Sequence, residues 1–204
     1  MLFKNSLDSI LGQSSKVKIL RFLNSTKIEL NGREIAKSTG LSHVQCHTAL
    51  RDLAKHGVIT VRNIGRSTAY KINSEHILYK ELLRPMFDSE TTLINRLIDI
   101  VAAGTKKFKP ISIMIYGSTT KGTARPDSDL DMLIIFPDNS DLKKIAEKID
   151  SIEEDISNKF GNQLSPVLIK KKDFRRKYKQ KNNFYMEIIK TGKVLYGKTI
   201  SELL

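Results

Sequence analysis

Tyr116-Gly117-Ser118-Thr119-Thr120-Lys121-Gly122-Thr123-Ala124-Arg125-Pro126-Asp127-Ser128-Asp129-Leu130-Asp131 is the stretch on which the reading of this chain turns. It leaves one apolar run, Ile111 to Tyr116, and enters another, Asp129 to Phe136, and both read as buried strands. Gly117-Ser118 falls where the first strand ends and a helix is due to begin. Glycine allows close backbone approach, and Ser118 brings a hydroxyl and an amide to a helix N-terminus, a natural seat for phosphate. Asp129 and Asp131 are two apart, so on a strand both carboxylates project from one face, roughly 6–7 Å apart along the chain. Set among Leu130, Met132, Leu133, Ile134 and Ile135, they are costly unless something neutralises them. Hard divalent cations do so, and Mg²⁺ also binds substrate phosphates. Paired metals can clamp the attacking and leaving oxygens of an in-line displacement.

Gly-Ser, ten residues, then Asp-x-Asp, with Ser128 before the first acid, resembles the signature of the minimal nucleotidyltransferases of the polymerase-beta superfamily. The resemblance covers roughly residues 90–200, including the tail Ile189-Lys190-Thr191-Gly192-Lys193-Val194-Leu195-Tyr196-Gly197. It implies transfer of a nucleoside monophosphate from ATP or another NTP, with Mg²⁺ or Mn²⁺. Asp129 and Asp131 are then the catalytic and metal-binding pair, and Gly117, Ser118 and Lys121 bind the nucleotide. Small stand-alone members often act as antitoxins that modify a partner toxin with AMP, so a protein partner is implied as well. The family normally adds a third carboxylate from a neighbouring strand. The equivalent strand here, Leu164 to Ile169, has no acid, and Ser165 or Val167 stands in the expected place. Asp173 lies beyond it. Two readings follow: a transferase working with two carboxylates, with or without Asp173, or a domain that has lost catalysis and binds only nucleotide or a partner protein.

Working outward toward the N-terminus, residues 7–23 carry Leu7, Ile10, Leu11, Val17, Leu20 and Leu23 on one stripe and read as a helix that Gly12 and Ser14-Ser15 can split. Asn31-Gly32 is a turn signal, Arg33 to Ser38 a short helix, and Gly40 its stop. Ser42-x-x-Gln45 is a capping-box pattern opening a helix to about His56. Val58 to Arg62 and Ser67 to Ile72 flank Asn63-Ile64-Gly65-Arg66 and read as a hairpin. The segment Arg33 to Ser42, in this order of elements, resembles the winged helix-turn-helix family. That resemblance implies DNA binding by His43, Gln45, His47, Thr48 and Arg51 on the recognition helix and by Arg62 and Arg66 on the wing, by a homodimer on a two-fold site. His43 and His47 alone lack the further ligands a metal needs.

The domains expected are a winged helix over 1–74, a helical linker over 75–104 with Pro85 as a kink or break, and the nucleotidyltransferase-like domain over 105–204. The fold class is α+β, with a mixed sheet flanked by helices in the second domain. The chain of 204 residues is 40% hydrophobic, enough for real cores. Its one cysteine, Cys46, excludes internal disulfides and a cysteine-rich zinc site. No apolar run spans a membrane and no signal-peptide core is present, so a soluble, cytoplasmic protein without membrane contact is expected. Net charge is +13. Residues 1–74 hold 12 Lys/Arg against 4 Asp/Glu, and residues 170–181 hold 8 bases against Asp173 alone. The second run, interleaved with Phe174 and Tyr178, suits RNA or an acidic partner. It follows directly on the 164–169 strand, which also puts triphosphate or a polyanionic substrate in reach. The plain alternative is a solvated helix face with both aromatics in the core.

Overall fold

The computed structural model describes residues 4–204, which divide into two compact units, one through Thr92 and one from Leu93. The first has the order of elements expected of a winged helix. Helices α1 (Ser6–Leu11) and α2 (Ser14–Thr26) are parted at Gly12-Gln13, where the sequence allows a split. Strand β1 (Leu30–Asn31), helix α3 (Gly32–Thr39), helix α4 (His43–Lys55) and the hairpin β2 (Ile59–Ile64) and β3 (Ser67–Ile72) follow. The three strands are antiparallel in the order β1-β3-β2.

Asn31-Gly32, read as a turn, has a fuller role. Asn31 pairs with Ala69 as the end of β1, and its side chain accepts from the Arg33 and Glu34 amides at 3.0 Å while Glu34 accepts from the Asn31 amide. This capping box lets strand become helix without a loop. Ser42 and Gln45 build the second box at the start of α4, as their spacing predicts. The core joins Ile19, Leu20 and Leu23 to Ile35, Cys46, Leu50 and Leu53, and is completed by Tyr79, Leu83 and Phe87. Within it Lys16 is buried, but its ammonium donates to the Ser9 carbonyl at 2.8 Å and lies 3.5 Å from Asp52. The Tyr79 hydroxyl donates to buried Asn24 at 2.6 Å.

The helical stretch begins with a π-helical turn, Tyr79–Leu83, and continues as α5 (Arg84–Thr105). Pro85 does not end the helical stretch. It comes just after the π-turn, whose wider hydrogen-bond spacing accommodates the N–H that proline lacks. The boundary between the units falls inside α5: Phe87 belongs to the first core, Leu97 and Val101 to the second.

The second unit is built on a four-stranded mixed sheet. Its strands are β4 (Ser112–Ile115), β5 (Leu130–Phe136), β6 (Leu164–Lys170) and β7 (Lys193–Gly197), in the order β6-β5-β4-β7, with β5 and β6 parallel and the other pairs antiparallel. Between them come the single turn α6 (Ser118–Lys121), α7 (Leu142–Phe160), α8 (Lys171–Lys179), α9 (Asn183–Thr191) and finally α10 (Ile200–Leu203). Strand alternation sends Met132, Ile134 and Phe136 to one face, against Leu97 and Val101 of α5 and Ile145, Ile149, Ile152 and Ile156 of α7. Leu133 and Ile135 go to the other face with Met114, Phe174, Ile188 and Leu203. Helices cover both faces of the mixed sheet, as expected from the sequence. Strand β7 is not evident from pattern, because its pairing with β4 slips between Ile113 and Met114 and leaves Leu195 out of step.

Candidate functional site

The site grows from the end of β4. Gly117 takes φ 74°, ψ −145°, a conformation closed in practice to residues with a side chain. A β-carbon placed there would fall on the carboxylate of Asp131. The Asp131 carboxylate therefore lies directly on the Gly117 backbone, and the first glycine of the motif exists to admit it. The Tyr116 amide donates to the Asp131 carbonyl at 3.0 Å, which fixes the two strands against each other at this level. Helix α6 is only four residues long, so Ser118 is the start of a tight turn rather than of a helix with an appreciable dipole. What it presents is a half-buried hydroxyl and turn amides.

Asp129 stands exposed two residues before Asp131, on the same side of the chain. Burial, and then the charge of Asp129, push the Asp131 carboxyl above the usual aspartate range. Tyr116 is pushed up to about 12, first by burial and then by the charges of Asp131 and Tyr185, so its hydroxyl keeps its proton at any working pH. Phe184 meets Tyr116 edge-on at 5.7 Å and Tyr185 at 5.2 Å. The loop that delivers Asp129 is braced: Ser128 Oγ accepts from the Arg125 amide at 2.9 Å, and Asn162 Nδ2 donates to the carbonyls of Pro126 and Ser128 at 3.2 and 3.0 Å. Sequence reasoning missed Asn162, since an Asn just after a helix carries no signal of what it will brace. Lys121, expected at the nucleotide, has its ammonium 2.5 Å from Glu187 of α9, and this partner holds the Glu187 carboxyl below its ordinary range.

The third acid is absent from its place. Strand β6 sets Ser165 beside Asp131 and Val167 beside Leu133, so Ser165 holds the position next to the acidic pair. Asp173 does not join the pair: it is 2.9 Å from Arg176, and its charge acts on Tyr185. Among the described residues no group of three or more His, Cys, Asp or Glu side chains gathers to hold a metal. Two carboxylates, one held up by burial and then by the charge of the other, are the residues here that could hold Mg²⁺, with water and substrate phosphate as its further ligands.

The basic run forms α8, directly after β6 as the sequence implies. It follows the far end of β6. Asp138, just past the end of β5, accepts from the Lys172 amide at 2.7 Å and so marks that end of the sheet. The Asp pair opens β5 at the other end. The run therefore begins at the end of the sheet opposite the Asp pair. Its aromatics also part ways, Phe174 fully buried and Tyr178 exposed.

In the first unit His43, Gln45, His47, Thr48 and Arg51 are all exposed on α4. His43, His47 and Arg66 line one cleft of about 580 Å³, together with Arg33 and Tyr70. Gln45 is half committed: its Oε1 accepts from the Ser42 amide and hydroxyl at 3.2 and 3.0 Å, leaving its amide nitrogen outward. Arg62 lies 3.6 Å from Glu29, and Arg66 sits at the wing tip next to Gly65. Two side chains escaped the sequence reading. Arg33 joins the cleft from α3, and Val44 is 75% exposed on α4.

Comparison with known proteins agrees with this division. Residues 15–74 match the FaeA-like protein family. No curated protein matches the chain. Among solved structures, the AntR antimony-specific transcriptional repressor is similar at 19% identity and TM-score 0.37, over 46% of this chain and 78% of that one. A toxin–antitoxin crystallised with AMP-PNP is similar at 17% and 0.35, over 52% and 76%. A mutant of the MntA-HpeT toxin–antitoxin is similar at 19% and 0.36, over 54% and 76%. Residues 95–201, more than half of the chain, match the family described as Polymerase beta, Nucleotidyltransferase, and the chain belongs to that family.

Proposed function

We propose that the chain is a DNA-binding regulator whose second unit binds an NTP with one divalent cation and transfers the nucleoside monophosphate to a partner protein. The observation that carries the reading is the Asp131 carboxylate seated on Gly117, next to Ser118 and two residues from Asp129. Asp129 and Asp131 would hold the cation. When bound, it supplies charge neutralisation for the triphosphate oxygens and the leaving pyrophosphate. The Ser118 hydroxyl and the turn amides orient the phosphates. Lys121 either keeps Glu187 or exchanges it for a phosphate oxygen. Phosphoryl transfer depends chiefly on positioning and charge stabilisation. Loss of the third acid therefore slows the reaction rather than forbidding it.

A second reading, nucleotide binding without transfer, is favoured by Ser165 itself. Labelled ATP with Mg²⁺ and cell lysate separates the two. Transfer to a protein that disappears in Asp129→Ala supports the first. Ser165→Asp, which places a carboxylate beside Asp131, should then speed transfer by about 100-fold. Absence of label in both the native chain and Ser165→Asp, with ATP still bound, establishes the second.

The head acts as a cytoplasmic homodimer on a two-fold operator, with α4 entering the major groove and Arg66 following the backbone. Val44 adds an apolar contact suited to a thymine methyl. Band shift with Arg51→Ala and Arg66→Ala should show weaker binding in each. Equal affinity in both would remove the surface from consideration.

A further inference from the structure

Helix α8 presents cations in two rows. Lys171, Arg175 and Lys179 recur every four residues, and Lys172 and Arg176 run alongside. The rise per residue sets neighbours in a row roughly 6 Å apart along the axis. All five line a cleft of about 420 Å³ whose only acid is Asp138. The Asp138 carboxylate is already engaged by the Lys172 amide, and Asp173 by Arg176. Arg175 Nε donates to the Leu203 carbonyl at 2.7 Å, which fixes its guanidinium at the cleft instead of leaving it to sweep through solvent. Phe174, fully buried, anchors the helix from below. The strand from Asp131 to Phe136 spans roughly 17 Å, so this cleft is separate from the Asp pair.

We infer that the α8 cleft is a second polyanion site, which binds the sugar–phosphate backbone of a nucleic acid. Evenly spaced cations suit evenly spaced phosphates, and a preset arginine suits a phosphate's paired oxygens. The cleft is lined by long cationic side chains with no aromatic among them, so it offers charge without a stacking platform. Backbone contact without sequence preference follows.

The test uses the full chain carrying Arg51→Ala and Arg66→Ala, so that the head contributes little. Fluorescent 15-residue single strands of RNA and of DNA are titrated at several salt concentrations. Replacing Lys172, Arg176 and Lys179, all exposed, with Gln should raise Kd at least tenfold and flatten the salt slope by about 2. An unchanged melting temperature shows that the triple variant is folded. A control replaces Lys143, Lys144 and Lys148 of α7 with Gln and should leave Kd within twofold. An unchanged Kd in the α8 variant, or an equal loss in the α7 control, overturns the site. Competition by poly-glutamate as strong as by the oligonucleotides overturns the nucleic-acid assignment in favour of an acidic protein. RNA preferred over DNA, or the reverse, identifies which strand it serves.

Discussion

Gly117 and Asp131 form a two-residue unit in which each explains the other. The glycine adopts a backbone conformation that excludes a side chain, and the space so created is filled by the carboxylate. Gly117→Ala should cost about 3 kcal/mol in urea unfolding, from backbone strain and displacement of the acid together. Asp131 has its own dependence on pH. A carboxyl raised in the folded chain favours folding below its unfolded pKa, and that benefit is lost as pH climbs through the higher folded value. At neutral pH the ionised group is a burden. Asp131→Asn should therefore melt a few degrees higher than the native chain at pH 7, and the gain should vanish near pH 3. Mg²⁺ should raise the melting temperature of the native chain and leave that of Asp131→Asn unmoved. Differential scanning fluorimetry across pH, with and without the cation, checks both.

Helix α8 shows how far an element can be read before its neighbours are known. Phe174 and Tyr178 are four apart and equal in sequence terms, yet one is fully buried and the other 37% exposed. Phe174→Ala should cost about 3–5 kcal/mol and Tyr178→Ala about 1 kcal/mol or less, by urea unfolding. The capping box of Ser42 and Gln45, the wing and the strands β5 and β6 are legible because each rests on local chemistry: a side chain satisfying amides three residues on, or a period of two. The Asp pair and its glycine were legible for the same reason. What escaped was set by distant partners. The place of α8 at the far end of the sheet follows from the parallel pairing of β6 with β5, and no residue of α8 announces it. Strand β7 hid because Leu195 breaks the alternation. Pro85 suggested a break, but the backbone had already deviated in the π-turn ahead of it. Lys121 was assigned from its motif alone, and only the fold reveals Glu187 beside it.

At the scale of the molecule, the first unit closes one core around Leu50 and Leu53, and the second packs one on each face of its sheet, around Ile113 and Ile134 and around Leu133 and Ile135. Calorimetry should resolve two transitions, with Leu50→Ala lowering one and Ile134→Ala the other. A single transition shifted alike by both would show that the cores are coupled. The sheet order carries a consequence for synthesis. Ile113 pairs with Tyr196 and Ile115 with Lys193, so β4 waits for partners some eighty residues away. The first core needs nothing beyond Phe87. As the ribosome delivers residues at its usual pace, the head is complete on the order of ten seconds before the last strand of the sheet emerges. During that interval β4 has a bare edge, which is where a nascent chain of this protein is most exposed to mispairing and most in need of a chaperone.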